Sequence, residues 1–272
     1  MKLITIPLLA LTLSAVGVHS DSSRPQITLR SGGVEITQSS SAQIEEKIKA
    51  CRASLAELVQ SNAMCMNHFD AFANHLDQAY SQEGVMTTSD IDQILSAVSF
   101  AAEKHKLQVR KNAEKTPYIS HPIGVALHLM DIGQVRDVSV IIGALLHDTI
   151  EDTETTYSEI ETLFGKDVAN YVKEVTDDKS LAREQRKRGQ IISAAKKSVG
   201  AAQIKLADKF YNLTDLFENP PPDWTRERID QYYQWAKSVV DRLPASNQHL
   251  KDAIQDLIHN YWEKQGNPEK SS

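Results

Sequence analysis

The stretch Gly143–Thr153, GALLHDTIEDT, closes an apolar run with one imidazole and three carboxylates: His147, Asp148, Glu151 and Asp152. Carboxylates crowded this closely repel one another unless a cation holds them. Successive residues point about 100° apart around a helix, so His147 and Asp148 can fork around one ion at a helix end. Glu151 and Asp152 lie four positions further on and stack over them if the helix continues. A His-Asp pair alone is weak, and its surroundings decide its meaning. Two more donors qualify. His121 precedes Pro122, a residue suited to the first position of a helix. Asp208 interrupts the apolar stripe Ile204, Leu206, Ala207, Phe210, Leu213, and a buried carboxylate needs a partner; Asn212 shares its face at i+4. Two imidazoles with two carboxylates suit Mn²⁺, Fe²⁺ or Zn²⁺, and the lack of thiolate argues against a closed structural zinc site.

These residues need helices to hold them. From Glu83-Gly84 onward the chain reads as a compact all-α domain. Ser89 with Asp92 resembles a capping box opening a helix to about Lys106. A basic loop with Arg110 and Lys111 follows, and a helix starts at His121-Pro122 and runs to Met130. Residues 137–147, 158–164, 166–176, 183–197, 200–217, 225–243 and 246–264 carry helical periodicity, and clear alternating strands are absent.

Upstream, Ile44, Ile48, Cys51, Leu55, Leu58, Cys65, Phe69, Phe72, Leu76 and Ala79 alternate in threes and fours, a heptad seam broken only at Asn62. Taken as one helix over 44–85, it places Asn62 at an a position and both cysteines at d, about 21 Å apart along the axis. Such a seam supports a parallel homodimer through residues 44–79; a helix docked on the domain, or a hairpin broken near Asn62, accounts for the same pattern. Residues 21–43 read as a polar linker with one short extended piece at Gln26–Arg30, and 266–272 as a disordered tail. MKLITIPLLALTLSAVGVHS at 1–20 has the layout of a signal peptide, implying the secretory pathway, with a misassigned start and a cytoplasmic protein as the alternative. Its apolar run is short for a membrane span. The formal net charge of -6 gives no electrostatic case for a nucleic-acid polymer as partner.

Four segments, HPIGVA (121–126), ALLHDTIEDT (144–153), VTDDK (175–179) and KLADKFYNL (205–213), together resemble the hydrolase domain of the RelA/SpoT family, most narrowly its stand-alone animal branch. The resemblance covers roughly residues 86–265 and implies an HD-domain helical bundle around a single divalent metal. It implies Mn²⁺-dependent removal of the 3′-pyrophosphate from guanosine 3′,5′-bis(diphosphate) or its pentaphosphate, with removal of a phosphate from NADPH as a second activity. By position, His121, His147, Asp148 and Asp208 match the metal ligands, and Glu151 and Asp152 match the pair that positions and deprotonates water. Arg110, Lys111, Lys179, Asn212, Arg228 and Tyr232 match contacts to substrate. Such a metal lowers the pKa of water while a carboxylate takes the proton. Thr214 departs from the family's arginine and creates the sequon Asn212-Leu213-Thr214, so export would expose Asn212 to glycosylation.

Taken singly, each of these residues has a plainer explanation. His105 and His128 read as structural, Tyr233 and Trp235 as packing, and Arg186-Lys187-Arg188 as an exposed helix face. Two other functions fit less of the pattern: another HD-domain phosphohydrolase acting on deoxynucleotides or cyclic nucleotides, or a non-catalytic nucleotide-binding protein.

Overall fold

The computed structural model describes residues 27–30, 33–36, 38–81 and 85–267. Residues 1–20, where the signal-peptide reading falls, residues 21–26, 31–32 and 37 of the linker, residues 82–84 and residues 268–272 of the tail lie outside them. Ile27–Arg30 (β1) and Gly33–Ile36 (β2) pair antiparallel, Ile27 opposite Ile36. Apart from this ribbon and an isolated bridge between Val109 and Pro117, the described residues are helical or connecting, and the fold is all-α. No helix among them is long and apolar enough to cross a membrane.

The heptad segment is not one helix. Gln38–Leu58 (α1) begins inside the stretch read as linker and ends at a turn where Gln60 and Ser61 take positive φ, 50° and 55°. Ala63–Ser81 (α2) then runs back. Asn62 does not set a coiled-coil register: its Oδ1 accepts the Cys65 N–H at 3.1 Å, an N-cap that starts α2. The seam is spent inside the chain, with α1 against Thr88–His105 (α3) and α2 against Ser120–Asp131 (α4). Ile44, Cys65, Phe69, Phe72 and Leu76 are wholly buried there, so neither cysteine is presented to a second copy. Arg52 clamps Asp70 through two bonds of 2.6 and 2.8 Å across the hairpin. Exposed pairs of this kind contribute at most about 1 kcal/mol, so the apolar seam carries the docking.

The capping box of α3 sits two residues earlier than Ser89–Asp92. Thr87 accepts the Asp90 N–H and Asp90 accepts the Thr87 N–H, because the first turn must present Ile91 to the core. The remaining helices follow the periodicity closely: Val138–Leu146 (α5), Thr149–Asp152 (α6), Tyr157–Phe164 (α7), Lys166–Val175 (α8), Arg183–Ser193 (α9), Val199–Glu218 (α10), Arg226–Val240 (α11) and Gln248–Lys264 (α12). Asp137, Thr156, Ser198, Thr225 and Asn247 each cap the helix that follows. Gly266 and Asn267 are ordered, not tail: their N–H groups close α12 on the Glu263 and Trp262 carbonyls, with Gly266 at φ +70°. Helices α4, α5 and α10 pack on one another at the centre, and each brings one part of the site described next.

Candidate active site

Each of the three central helices delivers donors to one point. His121 lies in the first turn of α4, His147 caps the end of α5, and Asp208 sits midway along α10; all three are buried. One donor atom from each lies within 4.8 Å of the others. His121 Nε2 and His147 Nε2 face each other at 3.2 Å. Asp208 Oδ1 stands 3.5 Å from the first and 3.9 Å from the second. Asp148 completes the set, its Oδ2 lying 3.5 Å from His121 Nε2 and 3.2 Å from His147 Nε2. The helix does not run straight through: α5 stops at Leu146, and Asp148 precedes the single turn α6, which carries Glu151 and Asp152.

The donor set fits a divalent metal. The Ala144 carbonyl lies 2.7 Å from His147 Nδ1, which fixes the hydrogen there and leaves the Nε2 lone pair facing the cluster. Burial alone would depress the His147 imidazolium, yet Asp148 and Asp208 outweigh it and push its pKa up to about 9. The carboxylates that retain a proton so strongly would equally retain a metal cation. Burial works against both carboxylates too. Lys209, His121 and Lys205 nevertheless hold Asp208, and the two imidazoles hold Asp148, well below the usual carboxylate range.

Asp208 divides its oxygens. Oδ2 accepts from Lys209 at 3.0 Å, with Lys205 at 3.8 Å, and both lysines are buried. Oδ1 turns to the imidazoles and accepts from Asn212 Nδ2 at 2.6 Å. Asn212 Oδ1 in turn accepts from Arg110 Nη2 at 3.0 Å, and Arg110 pairs with Asp215 at 2.7 Å. The proposed glycosylation atom is therefore already engaged, in mid-helix, on a metal-ligand candidate.

Asp152 and Glu151 have different settings. Asp152 lines the cavity beside the cluster, its Oδ1 paired with Lys179 and its Oδ2 accepting from Tyr118 at 3.2 Å. Glu151 points the other way, accepting the Asp177 N–H at 3.0 Å with Arg186 3.6 Å away. Burial raises its carboxyl above the usual range, and the Asp177 N–H only partly offsets this.

The cavity, about 340 Å³, is walled by Arg110, Lys111, Tyr118, Asp152, Asn212, Trp224 and Tyr232 among others. Of the residues matched to substrate contacts, Arg110, Lys111, Asn212 and Tyr232 therefore face it, and Lys179 reaches it through Asp152. Arg228 does not line it: its guanidinium lies 4.1 Å from the Trp224 ring and faces a separate pocket.

Several participants escaped sequence reasoning. Tyr118 donates to Asp148 at 2.7 Å as well as to Asp152, and burial beside those carboxylates keeps its phenol protonated. Lys205 and Lys209 flank Asp208 and were the partners its burial demanded. Gln108 donates to the Asp152 carbonyl at 2.7 Å and rests on buried His105, whose structural reading stands. Behind α4, His68 Nδ1 of α2 lies 3.2 Å from the Ser120 carbonyl, next to His121.

A family model described as "HD domain" matches residues 97–234, half of the chain, and this span contains the whole cluster. The chain belongs to the HD-domain family. This HD-domain protein is 51% identical over 171 residues to the guanosine-3′,5′-bis(diphosphate) 3′-pyrophosphohydrolase MESH1 of Xenopus tropicalis, covering 63% of this chain and 96% of that one. It is 48% identical over 170 residues to the Homo sapiens MESH1 (62% and 95%). Among solved structures it is similar to one described as "A metazoan ortholog of SpoT hydrolyzes ppGpp and plays a role in starvation responses", with 45% identity, a TM-score of 0.60, and 64% and 96% of the two chains covered. These likenesses put the HD domain in the RelA/SpoT relationship that the four motifs implied.

Proposed function

We propose that this HD-domain protein hydrolyses guanosine 3′,5′-bis(diphosphate) at its 3′-diphosphate, releasing pyrophosphate, with one divalent metal held by His121, His147, Asp148 and Asp208. The observation that carries the reading is the convergence of four donor atoms, one each from α4 and α10 and two from His147 and Asp148 between α5 and α6, beside a cavity with basic and aromatic walls. The relatives named for this activity support the substrate. Mn²⁺ is the metal we assign, on the family resemblance, from a donor set of imidazole and carboxylate that also admits Fe²⁺ and Zn²⁺.

When bound, the metal supplies Lewis acidity toward phosphoryl oxygens and lowers the pKa of water. The chain does the rest. Arg110 and Lys111 offer charge-assisted bonds to phosphate, and Trp224 and Tyr232 offer faces to a base. Asp152, oriented by Lys179 and Tyr118, faces the cavity floor, where it can hold water and take its proton. Glu151, turned to the Asp177 N–H and Arg186, instead anchors the segment that carries Lys179. NADPH is a second substrate on this reading, because its 2′-phosphate is likewise esterified to a secondary ribose hydroxyl and would leave as orthophosphate where the first substrate releases pyrophosphate.

The test uses the full chain with Mn²⁺ against guanosine 3′,5′-bis(diphosphate), NADPH and a deoxynucleoside triphosphate, beside Asp148→Ala. Pyrophosphate release from the first should fall at least about a hundredfold in the variant, the equivalent of about 2.7 kcal/mol. Turnover of the deoxynucleotide alone would move the protein to another substrate class, and turnover that survives Asp148→Ala would refute the assigned centre.

A further inference from the structure

The α1–α2 hairpin lies upstream of the HD-domain match at 97–234. More than a third of this chain has no counterpart in the MESH1 relatives, whose own length is matched almost in full. Helix α2 nevertheless reaches the segment 110–121, which brings Arg110, Lys111, Tyr118 and His121 to the site. Phe69, Phe72 and Leu76 seat α2 along α4, and two side chains one helical turn apart touch the segment itself. Thr116 Oγ1 donates to Met64 Sδ at 3.7 Å. Thr116 in turn holds the basic loop together. Its carbonyl accepts the Arg110 N–H at 2.7 Å, its N–H donates to Asn112 Oδ1 at 3.1 Å, and its Oγ1 accepts from Asn112 Nδ2 at 2.9 Å. Thr116 and Asn112 are buried, whereas Leu107 and Val109 leave the start of the loop exposed. Four residues after Met64, His68 Nδ1 lies 3.2 Å from the Ser120 carbonyl, next to His121. Residues at i and i+4 share a helix face, so one face of α2 meets the basic loop and the metal-ligand turn together. Farther along, His75 Nε2 stands 3.5 Å from Asp131 Oδ1, and Lys47 of α1 donates to Asp92 of α3 at 2.6 Å, which fixes where the hairpin sits.

We propose that α2 is a positioning element of the active site, with Met64 setting the basic loop and His68 setting the turn that carries His121. The inference rests on the catalytic reading above. Arg110 and Lys111 must meet phosphate at the distance the metal ligands dictate, and a misplacement of about 1 Å between such groups can cost about a hundredfold in rate. The two groups stand at opposite ends of one short segment, and a rigid helix laid against both ends is a physical means of holding their separation. Neither Met64 nor His68 lines the cavity, so each acts through another residue. Their effects separate by geometry. Loss of the Met64 side chain frees Thr116, and with it the Arg110 backbone, without touching a metal donor. Loss of the His68 contact frees Ser120 and His121 and leaves the Asn112–Thr116 turn closed. A helix that only added to the core would weaken both ends alike.

The experiment compares the full chain with Met64→Ala, Met64→Leu and His68→Leu. The readouts are amide hydrogen exchange across 108–118, Mn²⁺ titration, and steady-state kinetics on guanosine 3′,5′-bis(diphosphate). Met64 is only partly buried, so the fold should tolerate its truncation. In Met64→Ala, exchange across 108–118 should quicken at least about fivefold, while exchange in α5 and α10 stays as in the parent. KM should rise at least about threefold, with kcat and Mn²⁺ affinity within about twofold. Met64→Leu, which nearly conserves the volume, should return exchange and KM to within about twofold of the parent. His68→Leu should show the reverse split, with Mn²⁺ affinity at least about threefold weaker and exchange across 108–118 within about twofold. Unchanged exchange in Met64→Ala, faster exchange throughout the protein, or a joint loss of KM, kcat and metal affinity in either variant overturns the proposal. A parent that binds Mn²⁺ but leaves the substrate intact refutes the catalytic reading, and the exchange and Mn²⁺ comparisons still decide whether α2 sets the two ends separately.

Discussion

Gly124 to alanine sets two known effects against each other at the site. Gly124 is the fifth residue of α4, where alanine should be the better residue by about 1 kcal/mol of helix propensity. A Cβ there, however, would sit 2.1 Å from Tyr211 Cε2, 2.6 Å from Cδ2 and 3.2 Å from Cζ. Restoring ordinary contact near about 3.5 Å requires the ring to move by more than about an ångström. Tyr211 has nowhere open to go. It is 7% exposed, with Arg110 over its ring at 5.5 Å, and the rings of His121 at 4.8 Å, His68 at 5.7 Å and His128 at 5.9 Å around it. Overpacking of this kind costs about 1–3 kcal/mol, and here two or three contacts are violated together, so the clash should win by about 1–2 kcal/mol. For a chain of this size that lowers Tm by a few degrees. Turnover should fall further than stability does, because the displaced ring pushes on His121 and on Arg110. Thermal unfolding and steady-state kinetics on Gly124→Ala measure both effects. The same substitution placed in Tyr211→Ala should be neutral or stabilising, giving a coupling of at least about 1 kcal/mol in the cycle. A rise in Tm for Gly124→Ala alone, or additive effects in the cycle, would refute the packing argument.

Three other outcomes are expected. Burial, with His68 and His121 adding, depresses the His128 pKa from its ordinary value to about 4, so the folded state declines a proton that the unfolded chain accepts. The stability this contributes is intact above about pH 6.5 and is lost as pH falls toward 4; His128→Phe should therefore lose less stability than the parent across that window, by at most about 3 kcal/mol in denaturant titrations. His68→Leu should lower stability by about 1 kcal/mol and weaken Mn²⁺ binding in a metal titration, while His68→Asn, which can still donate to the Ser120 carbonyl, should restore both; equal behaviour of the two variants would dismiss the contact. Cys51 and Cys65 should react with a thiol reagent only on unfolding, because burial raises both thiols, Cys65 to about 12, and non-reducing electrophoresis should show no disulfide-linked dimer.

Much of the domain is legible in the sequence because its helices are amphipathic and most are capped by residues of the right type. Asp137, Thr156, Ser198, Thr225 and Asn247 mark their starts, and the periodicity fixes where they lie. The four metal-ligand candidates are legible for a different reason: charged and imidazole groups on apolar faces demand partners. The hairpin was hidden by arithmetic. Leu58 and Cys65 are seven residues apart, so a turn over 59–62 preserves the heptad count that a straight helix would show, and its left-handed positions are Gln60 and Ser61, neither a glycine. Asn62 satisfies a coiled-coil position and an N-cap equally well until the chain direction is known. Arg228 and Tyr232, four apart, share a helical face by spacing, yet Trp224 stands between their environments and sends them to different pockets. Tyr118 had no periodic signal at all, because its role depends on a loop folding back so that its N–H meets the Gln108 carbonyl.

The arrangement around Asp208 explains how one buried carboxylate serves both the fold and the chemistry. An unpaired charge at this depth would cost several kcal/mol, and the two buried lysines remove that cost from the side away from the cluster. Lys205 and Lys209 offset the charge of Asp208, and the imidazoles of His121 and His147 hold Asp148. A divalent ion that took the place of the imidazole proton would leave net positive charge beside the cavity. The surplus faces the side where Lys111 stands free of any carboxylate among the described ion pairs. A polyanionic ester is the chemistry such a surplus selects, and the position of the lysines behind Asp208, not in front of it, keeps the surplus pointed at the substrate.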